Sequence, residues 1–197
     1  MVIQQEQMIA KTDIAGLVIA GGTSKRFGSD KYKAELLGKS LLSLSVDNLE
    51  PHVAEIIVNL PNDHTSADYQ LVYENQGLGP LSAVISGMKW ARVHGYSWLL
   101  TTPVDVPVLP DGLIEALKGE GDGAYAEADD GLHGLCALWP VKDMEAIQNL
   151  LGNGKRAVNG AHKLLDNNPV FYPAKTKEDY FNINTQADLA QLKTFLE

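Results

Sequence analysis

The sequence lacks cysteine pairs, long apolar runs and a signal-peptide core. Its one cysteine, Cys136, cannot form an intramolecular disulfide and offers no zinc cluster. No apolar run approaches the roughly 20 residues that a transmembrane helix needs. The first 13 residues are mostly polar and lack the apolar core of a signal peptide. These absences predict a cytoplasmic protein with no membrane partner, in which residues 1–13 form an N-terminal extension and residues 14–197 form one domain.

Positive charge is also scarce, and it is unevenly distributed. The chain has 16 Lys and Arg residues against 25 Asp and Glu residues, a formal net charge of −9, which argues against a nucleic-acid partner. Five of the 16 basic residues nevertheless lie between positions 25 and 39. Such local enrichment in an acidic chain predicts a binding site for a small anion. A solvated basic loop is the alternative.

A glycine-rich loop precedes this basic stretch. The apolar run 15–19 predicts a buried strand that leads into Gly21 and Gly22. Glycines allow backbone N–H groups to approach phosphate oxygens, while Arg26 and Lys31 supply the neutralising charge. The loop has neither the Gly-Lys-Ser/Thr of a Walker A motif nor the spacing of a dinucleotide fingerprint. It therefore predicts phosphate binding of another type, with Arg26 and Lys31 as catalytic cations.

Strand-like and helix-like patterns alternate along the rest of the chain. The predicted strands are 15–19, 55–60, 69–73, 98–102, 123–128, 135–139 and 170–172. The predicted helices are 41–49, 81–93, 110–118, 142–151, 156–165 and 186–196. This alternation predicts an α/β fold, with helices on both faces of a mostly parallel, mixed sheet. In such sheets ligands bind outside the carboxyl ends of the strands, where the glycine loop is expected to lie.

Asp105 is the candidate metal ligand. It follows the predicted strand 98–102 and lies between Pro103 and Pro107, which hold the backbone at the edge of the sheet. Mg²⁺ is often bound by only one or two carboxylates together with water and substrate phosphates, so one aspartate is sufficient. An ordinary turn aspartate is the alternative interpretation.

Two asparagines precede the last predicted helix. Asn182 and Asn184 alternate along an extended segment, which predicts that their side chains share a face. Thr185 is suited to cap the following helix. Capping does not explain two asparagines, and we therefore expect one of them to reach the metal or a phosphate-bound water.

Together these residues resemble the molybdenum cofactor guanylyltransferases, a family of nucleotidyltransferases with a glycosyltransferase-A-like fold. The resemblance extends from about residue 14 to the C-terminus. It rests on motifs in the same order: Ile19-Ala20-Gly21-Gly22, Arg26, Asp30-Lys31, Gly79-Pro80-Leu81, the Pro-x-Asp-x-Pro around Asp105, and Phe181-Asn182-Ile183-Asn184-Thr185. It implies a single-domain, Rossmann-like three-layer sandwich similar to that of nucleotide-diphospho-sugar transferases.

The resemblance also implies an activity and partners. Members of the family transfer GMP from GTP to the terminal phosphate of molybdopterin, release pyrophosphate and use Mg²⁺; other proteins of molybdenum cofactor biosynthesis are further expected partners. By position, Lys31, Asn59 and Asn75 are implied nucleotide contacts. Asp105 and Asn184 are the implied metal ligands. The nucleotide set is Ile19, Ala20, Gly21, Gly22, Lys31, Asn59, Asn75 and Asp105.

The sequence leaves alternatives open for the nucleotide base and for the acceptor of the transferred group. Cytidine-specific relatives carry Ala-Ala-Gly where this chain has Ala20-Gly21-Gly22, so the loop favours GTP. Asn75 stands where the family has an aspartate, and an amide does not reproduce the paired acceptance of a carboxylate from guanine. The alternatives are a nucleotidyltransferase for another base or acceptor, such as molybdopterin cytidylyl transfer or sugar-phosphate activation, and a nucleotide-binding module without catalysis.

Overall fold

A seven-stranded sheet between two layers of helices carries the fold. The computed structural model describes residues 9–21, 27–61, 64–73 and 78–197. The strands are β1 (Ile14–Ile19), β2 (Glu35–Leu36), β3 (Lys39–Ser40), β4 (Glu55–Asn59), β5 (Gln70–Val72), β6 (Trp98–Pro103), β7 (Ala124–Ala128), β8 (Gly131–Pro140) and β9 (Asn168–Phe171). The helices are α1 (Leu41–Leu49), α2 (Pro80–Val93), α3 (Leu113–Gly119), α4 (Met144–Gly152), α5 (Val158–Leu165) and α6 (Gln186–Leu196).

The strand order is β5-β4-β1-β6-β8-β7-β9. Pairing is parallel throughout except that β8 runs antiparallel to both β6 and β7. The carboxyl ends of β1, β4 and β6 therefore meet at one edge. The predicted class, an α/β fold with a mostly parallel mixed sheet, is confirmed.

The central strand β1 is buried over its whole length. Ile14 and Val18 face one hydrophobic cluster, and Leu17 and Ile19 face the other, because alternate side chains point to opposite sides of a strand. The first cluster lies under α1, α3 and α6, the second under α2, α4 and α5. A strand covered on both faces reads as a continuous apolar run, which is why the sequence predicted it so clearly.

Helix α2 lies unusually close to the sheet. A Cβ at Gly87 would be 2.8 Å from Leu17 Cδ2 and 3.0 Å from Leu99 Cδ2, so a larger residue here would force these side chains or the helix to shift. The helix begins at Pro80, one residue before the predicted start, and proline is favoured in the first turn of a helix. Because α2 follows the parallel strand β5, its N-terminus lies toward the edge where the parallel strands end.

Most predicted elements are present, and the differences are local. The main difference is at β8, which is twice as long as the predicted strand 135–139. The small β2–β3 hairpin was not predicted, since each strand has only two residues. Among the described residues, no helix combines the length and apolar character needed to span a bilayer.

Candidate active site

The ends of β1, β4 and β6 are joined by backbone hydrogen bonds. In the sheet Ile19 lies opposite both Asn59 and Pro103. Beyond the last ladder residues, Ala20 N donates to Asn59 O at 2.9 Å, and Val104 N donates to Ile19 O at 3.0 Å. The start of the glycine loop is therefore held from both neighbouring strands. The bond on the β6 side comes from Val104, the residue before Asp105.

Asn59 braces the glycine loop from below. Its side chain is fully buried; Oδ1 accepts from Gly21 N at 3.1 Å and Nδ2 donates to Val72 O at 3.2 Å. One amide thus satisfies backbone groups on two neighbouring segments, which a carboxylate or an apolar side chain could not do. The implied nucleoside contact of Asn59 remains a prediction. Its observed role is to hold Gly21 in position.

Lys31 and Asp105 face one another at this edge. The distance from Lys31 Nζ to Asp105 Oδ2 is 3.6 Å, and the side chains are 13% and 31% exposed. Burial raises the pKa of Asp105, and the charge of Lys31 acts in the opposite direction. A short turn of 3₁₀ helix, Lys31–Lys33, carries the lysine. The structure thus brings together a cation and a carboxylate that are 74 positions apart in the sequence.

The asparagine-rich segment is tied to the same point. Ile183 N donates to Asp105 O at 2.8 Å, so the segment lies directly against the turn that carries Asp105. Asn184 Nδ2 donates to Asn182 Oδ1 at 3.0 Å. The two side chains therefore meet on one face, as their spacing predicted. Asn184 is the residue whose metal contact remains a prediction.

A capping box fixes the end of this segment. Thr185 Oγ1 accepts from Asp188 N at 3.2 Å, and Asp188 Oδ2 accepts from Asn184 N at 2.8 Å and Thr185 N at 2.7 Å. The hydrogen bond from Asn184 N lowers the pKa of Asp188 most, followed by that from Thr185 N, and the positive charge of Lys31 contributes. The predicted cap at Thr185 is confirmed. Asp188 was missed, although the spacing Thr-x-x-Asp signals such a box.

Several predicted site residues lie outside the described residues. These are Gly22, Arg26 and Asn75. Phe27, the next described residue after the glycine loop, is buried, and Gln186 Nε2 donates to its carbonyl at 3.5 Å. The exit of the loop is thereby linked to the first residue of α6.

The site fits a divalent cation of the kind held mainly by substrate. Among the described residues there is no group of three or more His, Cys, Asp or Glu side chains able to enclose a metal. Asp105 is a partly exposed carboxylate whose ordinary solvation is reduced by burial, with Lys31 as its cationic neighbour. Mg²⁺ that is bound through one or two protein oxygens and phosphate oxygens needs no larger cluster.

No strong nucleophile is present in the described part of this edge. Cys136 on β8 is buried, and burial raises the pKa of its thiol to about 12. A thiol with such a pKa stays protonated near neutral pH and is a poor nucleophile. The arrangement is suited to binding and polarising phosphates, and direct transfer between phosphates requires no covalent intermediate on the protein.

Solved structures share this fold at low sequence identity. A molybdopterin-guanine dinucleotide biosynthesis protein A from Archaeoglobus fulgidus superposes with a TM-score of 0.72 at 19% identity, covering 92% of this chain and 98% of that one. The protein Rv0371c from Mycobacterium tuberculosis, solved as a complex with manganese, superposes with a TM-score of 0.61 at 16% identity, covering 93% and 99%. These two structures show the class of the fold, an α/β sheet of the same architecture.

The sequence narrows this class to one family. The chain belongs to the MobA-like NTP transferase domains, whose family profile matches residues 16–170. A molybdenum cofactor guanylyltransferase from Cereibacter sphaeroides is 32% identical over 187 residues, which cover 92% of this chain and 96% of that protein. The family resemblance drawn from the motifs is confirmed.

Proposed function

We propose that this protein transfers GMP from GTP to the terminal phosphate of molybdopterin and releases pyrophosphate. The name of the Cereibacter sphaeroides relative supports the reaction. The observation that carries its location is the 3.6 Å approach of Lys31 to Asp105 at the edge where β6 ends. Together they support a transfer site at the edge where the glycine loop begins.

The reaction forms one phosphorus–oxygen bond and breaks another. An oxygen of the acceptor phosphate attacks the α-phosphorus of GTP, and the bond from that phosphorus to the bridging oxygen of pyrophosphate breaks. The acceptor phosphate is already ionised near neutral pH, so no strong general base is required. Lys31 stabilises the negative charge that moves onto the leaving pyrophosphate, and Arg26 is assigned the same task.

Asp105 and Asn184 are the residues assigned to a divalent cation, for which we favour Mg²⁺. When bound, such a cation would neutralise phosphate oxygens and polarise the phosphorus toward attack. Asp105 contributes an ionised oxygen, and the Ile183 N–H bond to its carbonyl restrains the backbone that carries it. Asn184 contributes an amide oxygen from a segment fixed by the capping box.

Recognition of the base is assigned to the glycine loop. In this proposal, Ile19, Ala20, Gly21 and Gly22 line the guanine and nearby backbone, and Asn59 and Asn75 lie toward the nucleoside. The observed bond from Gly21 N to Asn59 Oδ1 supports a preorganised position for the first residue of the loop. A loop that is already held costs less conformational entropy when it binds.

The decisive experiment measures pyrophosphate release from GTP, CTP, UTP and ATP, each with Mg²⁺ and with or without molybdopterin. We expect release only with GTP and molybdopterin together. Release with CTP instead would reassign the base, and release with a sugar phosphate in place of molybdopterin would reassign the acceptor. Nucleotide binding without release under any condition would contradict transfer and favour a binding module.

A further inference from the structure

Tyr32, next to Lys31, makes a short contact with a distant part of the chain. Its Oη lies 2.6 Å from His64 Nδ1, and the two rings are tilted with centroids 5.6 Å apart. His64 Nε2 faces Asp30 Oδ1 at 3.7 Å, and in the tautomer with the proton on Nε2 the Nδ1 atom accepts from the tyrosine hydroxyl. The contact therefore joins the 3₁₀ turn that carries Lys31 to the segment after β4.

The His64 end of this contact is itself anchored. His64 N donates to Pro61 O at 2.9 Å, and Tyr73 Oη donates to His64 O at 3.3 Å. Ser86 Oγ, on α2, donates in turn to Tyr73 O at 2.9 Å. The hydroxyl of Tyr32 is thus bonded to His64, and the backbone of His64 is held in turn through Tyr73 and α2.

Asp30, the carboxylate closest to Lys31 in the sequence, is paired with Lys33 and not with Lys31. Asp30 Oδ2 accepts from Lys33 Nζ at 2.9 Å, and this bond is the main reason that the pKa of Asp30 is lowered. The nearest carboxylate along the chain is therefore paired with another lysine. The ammonium of Lys31 lies 3.6 Å from Asp105 instead.

We propose that the Tyr32–His64 hydrogen bond positions Lys31 for phosphate transfer, an inference that rests on the proposed function. Tyr32 and His64 act through Lys31 and are positioning residues. Electrostatic stabilisation of a transition state depends on placement within fractions of an ångström, and a misplacement of about 1 Å can cost about 10²-fold in rate. Loss of the tyrosine hydroxyl removes the bond between the turn and His64. The aromatic ring at position 32 stays buried in the core.

The test compares Tyr32→Phe with Tyr96→Phe. Tyr96 also donates its hydroxyl to a side chain, Glu55 Oε2 at 3.1 Å, but precedes β6 at the opposite end of the sheet. In Tyr32→Phe we expect kcat for pyrophosphate release to fall about tenfold, with the KM for GTP nearly unchanged, because Lys31 acts on charge that develops during transfer. Tyr96→Phe should keep the wild-type kcat at a similar melting temperature.

Substitutions of His64 test the same contact from the other side. His64→Ala should lose as much kcat as Tyr32→Phe, and the double variant should lose no more than either single one, because the two changes break one interaction. His64→Asn, whose Oδ1 can replace Nδ1 as acceptor, should recover part of the rate. Independent, multiplicative losses in the double variant would overturn the proposal.

Chemical labelling supplies a readout that does not depend on turnover. Acetylation of each lysine by an amine-reactive ester, followed by peptide mass spectrometry, should be faster at Lys31 in Tyr32→Phe than in wild type or Tyr96→Phe. Lys39, paired with Asp47 at 2.7 Å, serves as the internal reference. Unchanged labelling of Lys31 overturns the positioning role even if wild type shows no guanylyl transfer, whereas that latter result alone would overturn only the proposed function.

Discussion

Polar side chains lie in two regions of the central sheet: the edge where β1 and β6 end, and the interior around β8. The two regions differ in whether those side chains are already hydrogen-bonded within the protein. At the edge, Lys31 and Asp105 approach to 3.6 Å and remain partly exposed. Around β8, His162 is only 1% exposed and both of its ring nitrogens are bonded within the protein. Groups at the edge can still bind a ligand, whereas those around β8 are already satisfied.

The polar groups around β8 repair a break in strand pairing. Tyr125 pairs with Ala137 and Ala126 with His133, so β8 bulges over Gly134, Leu135 and Cys136. His162 Nε2 donates to Gly134 O at 2.8 Å, and Thr101 Oγ1 donates to Leu135 O at 2.6 Å. These side chains take over carbonyls that the ladder leaves unpaired.

Aromatic stacking completes this interior network. The ring of His162 lies between Tyr125 and Trp139, with centroid distances of 4.1 and 4.0 Å. Asn167 Nδ2 donates to His162 Nδ1 at 3.0 Å, which requires a neutral imidazole. A buried histidine in such a setting is structural. A buried polar side chain therefore indicates a candidate active site only when some of its hydrogen-bonding atoms have no partner within the protein.

The largest expected effect lies at the edge. Asp105→Asn keeps the shape of the side chain but removes the ionised oxygen assigned to the metal, so kcat/KM for guanylyl transfer should fall about 10³-fold. Asp111→Asn, an exposed aspartate on the same connection, is the matched control and should retain activity. Thermal unfolding of both variants should stay near wild type. A loss of less than about tenfold in Asp105→Asn would contradict the metal assignment.

The next effect concerns the interior and depends on pH. Burial lowers the pKa of His162 from 6.5 to about 4. As pH falls from 6.5 to about 4, the unfolded chain binds a proton at His162 that the folded chain does not, so stability decreases across this window and the contribution is constant below it. At about 1.4 kcal/mol per pKa unit, the loss is about 3 kcal/mol.

His162→Phe separates this loss from the titration of carboxylates. Phenylalanine preserves the stacking but leaves Gly134 O and Asn167 Nδ2 without a partner, so the variant should be about 1–3 kcal/mol less stable than wild type at pH 7. Denaturant unfolding of both proteins at pH 7, 5.5 and 4 should show their difference change by about 3 kcal/mol in favour of the variant. Parallel pH curves would show that His162 does not titrate as inferred.

The smallest effects come from two adjacent threonines on β6. Thr101 Oγ1 donates to Leu135 O and accepts from Trp139 Nε1 at 3.0 Å. Thr102 Oγ1 is buried and has, among the described residues, no hydrogen-bond partner beyond the weak thiol of Cys136. Thr101→Val should destabilise the protein by about 2 kcal/mol, because two buried partners lose their bond. Thr102→Val should change the free energy of unfolding by less than about 0.5 kcal/mol or raise it slightly. Equal losses in denaturant unfolding would contradict the distinction between satisfied and unsatisfied groups.

Local patterns were enough to predict most elements of the parallel sheet. β1 is a continuous apolar run because both of its faces are covered, and α6 was predicted over the same residues that it occupies, 186–196. The edge location of Asp105 followed from its place after a strand. These features depend on neighbours in sequence, where periodicity and turn residues carry the information.

Long-range contacts were beyond such reasoning. The predicted strand 135–139 is shorter than β8 because the bulge interrupts the alternation that periodicity would detect. The bond between Tyr32 and His64 joins positions 32 residues apart, and neither residue belongs to a recognisable motif. The side chain of Asn59 was assigned to a nucleoside, whereas its visible bonds are to Gly21 and Val72.

The sequence by itself determined the class of the protein: a glycine loop with nearby cations, a carboxylate after a strand and an asparagine-rich segment, in the order of one family of nucleotidyltransferases. Tertiary structure alone decided which of these groups meet. Lys31 reaches Asp105 because β1 and β6 are neighbours in the sheet and a bonded turn directs the lysine toward their edge. Strand order and side-chain direction arise from packing between distant segments, which no local pattern encodes.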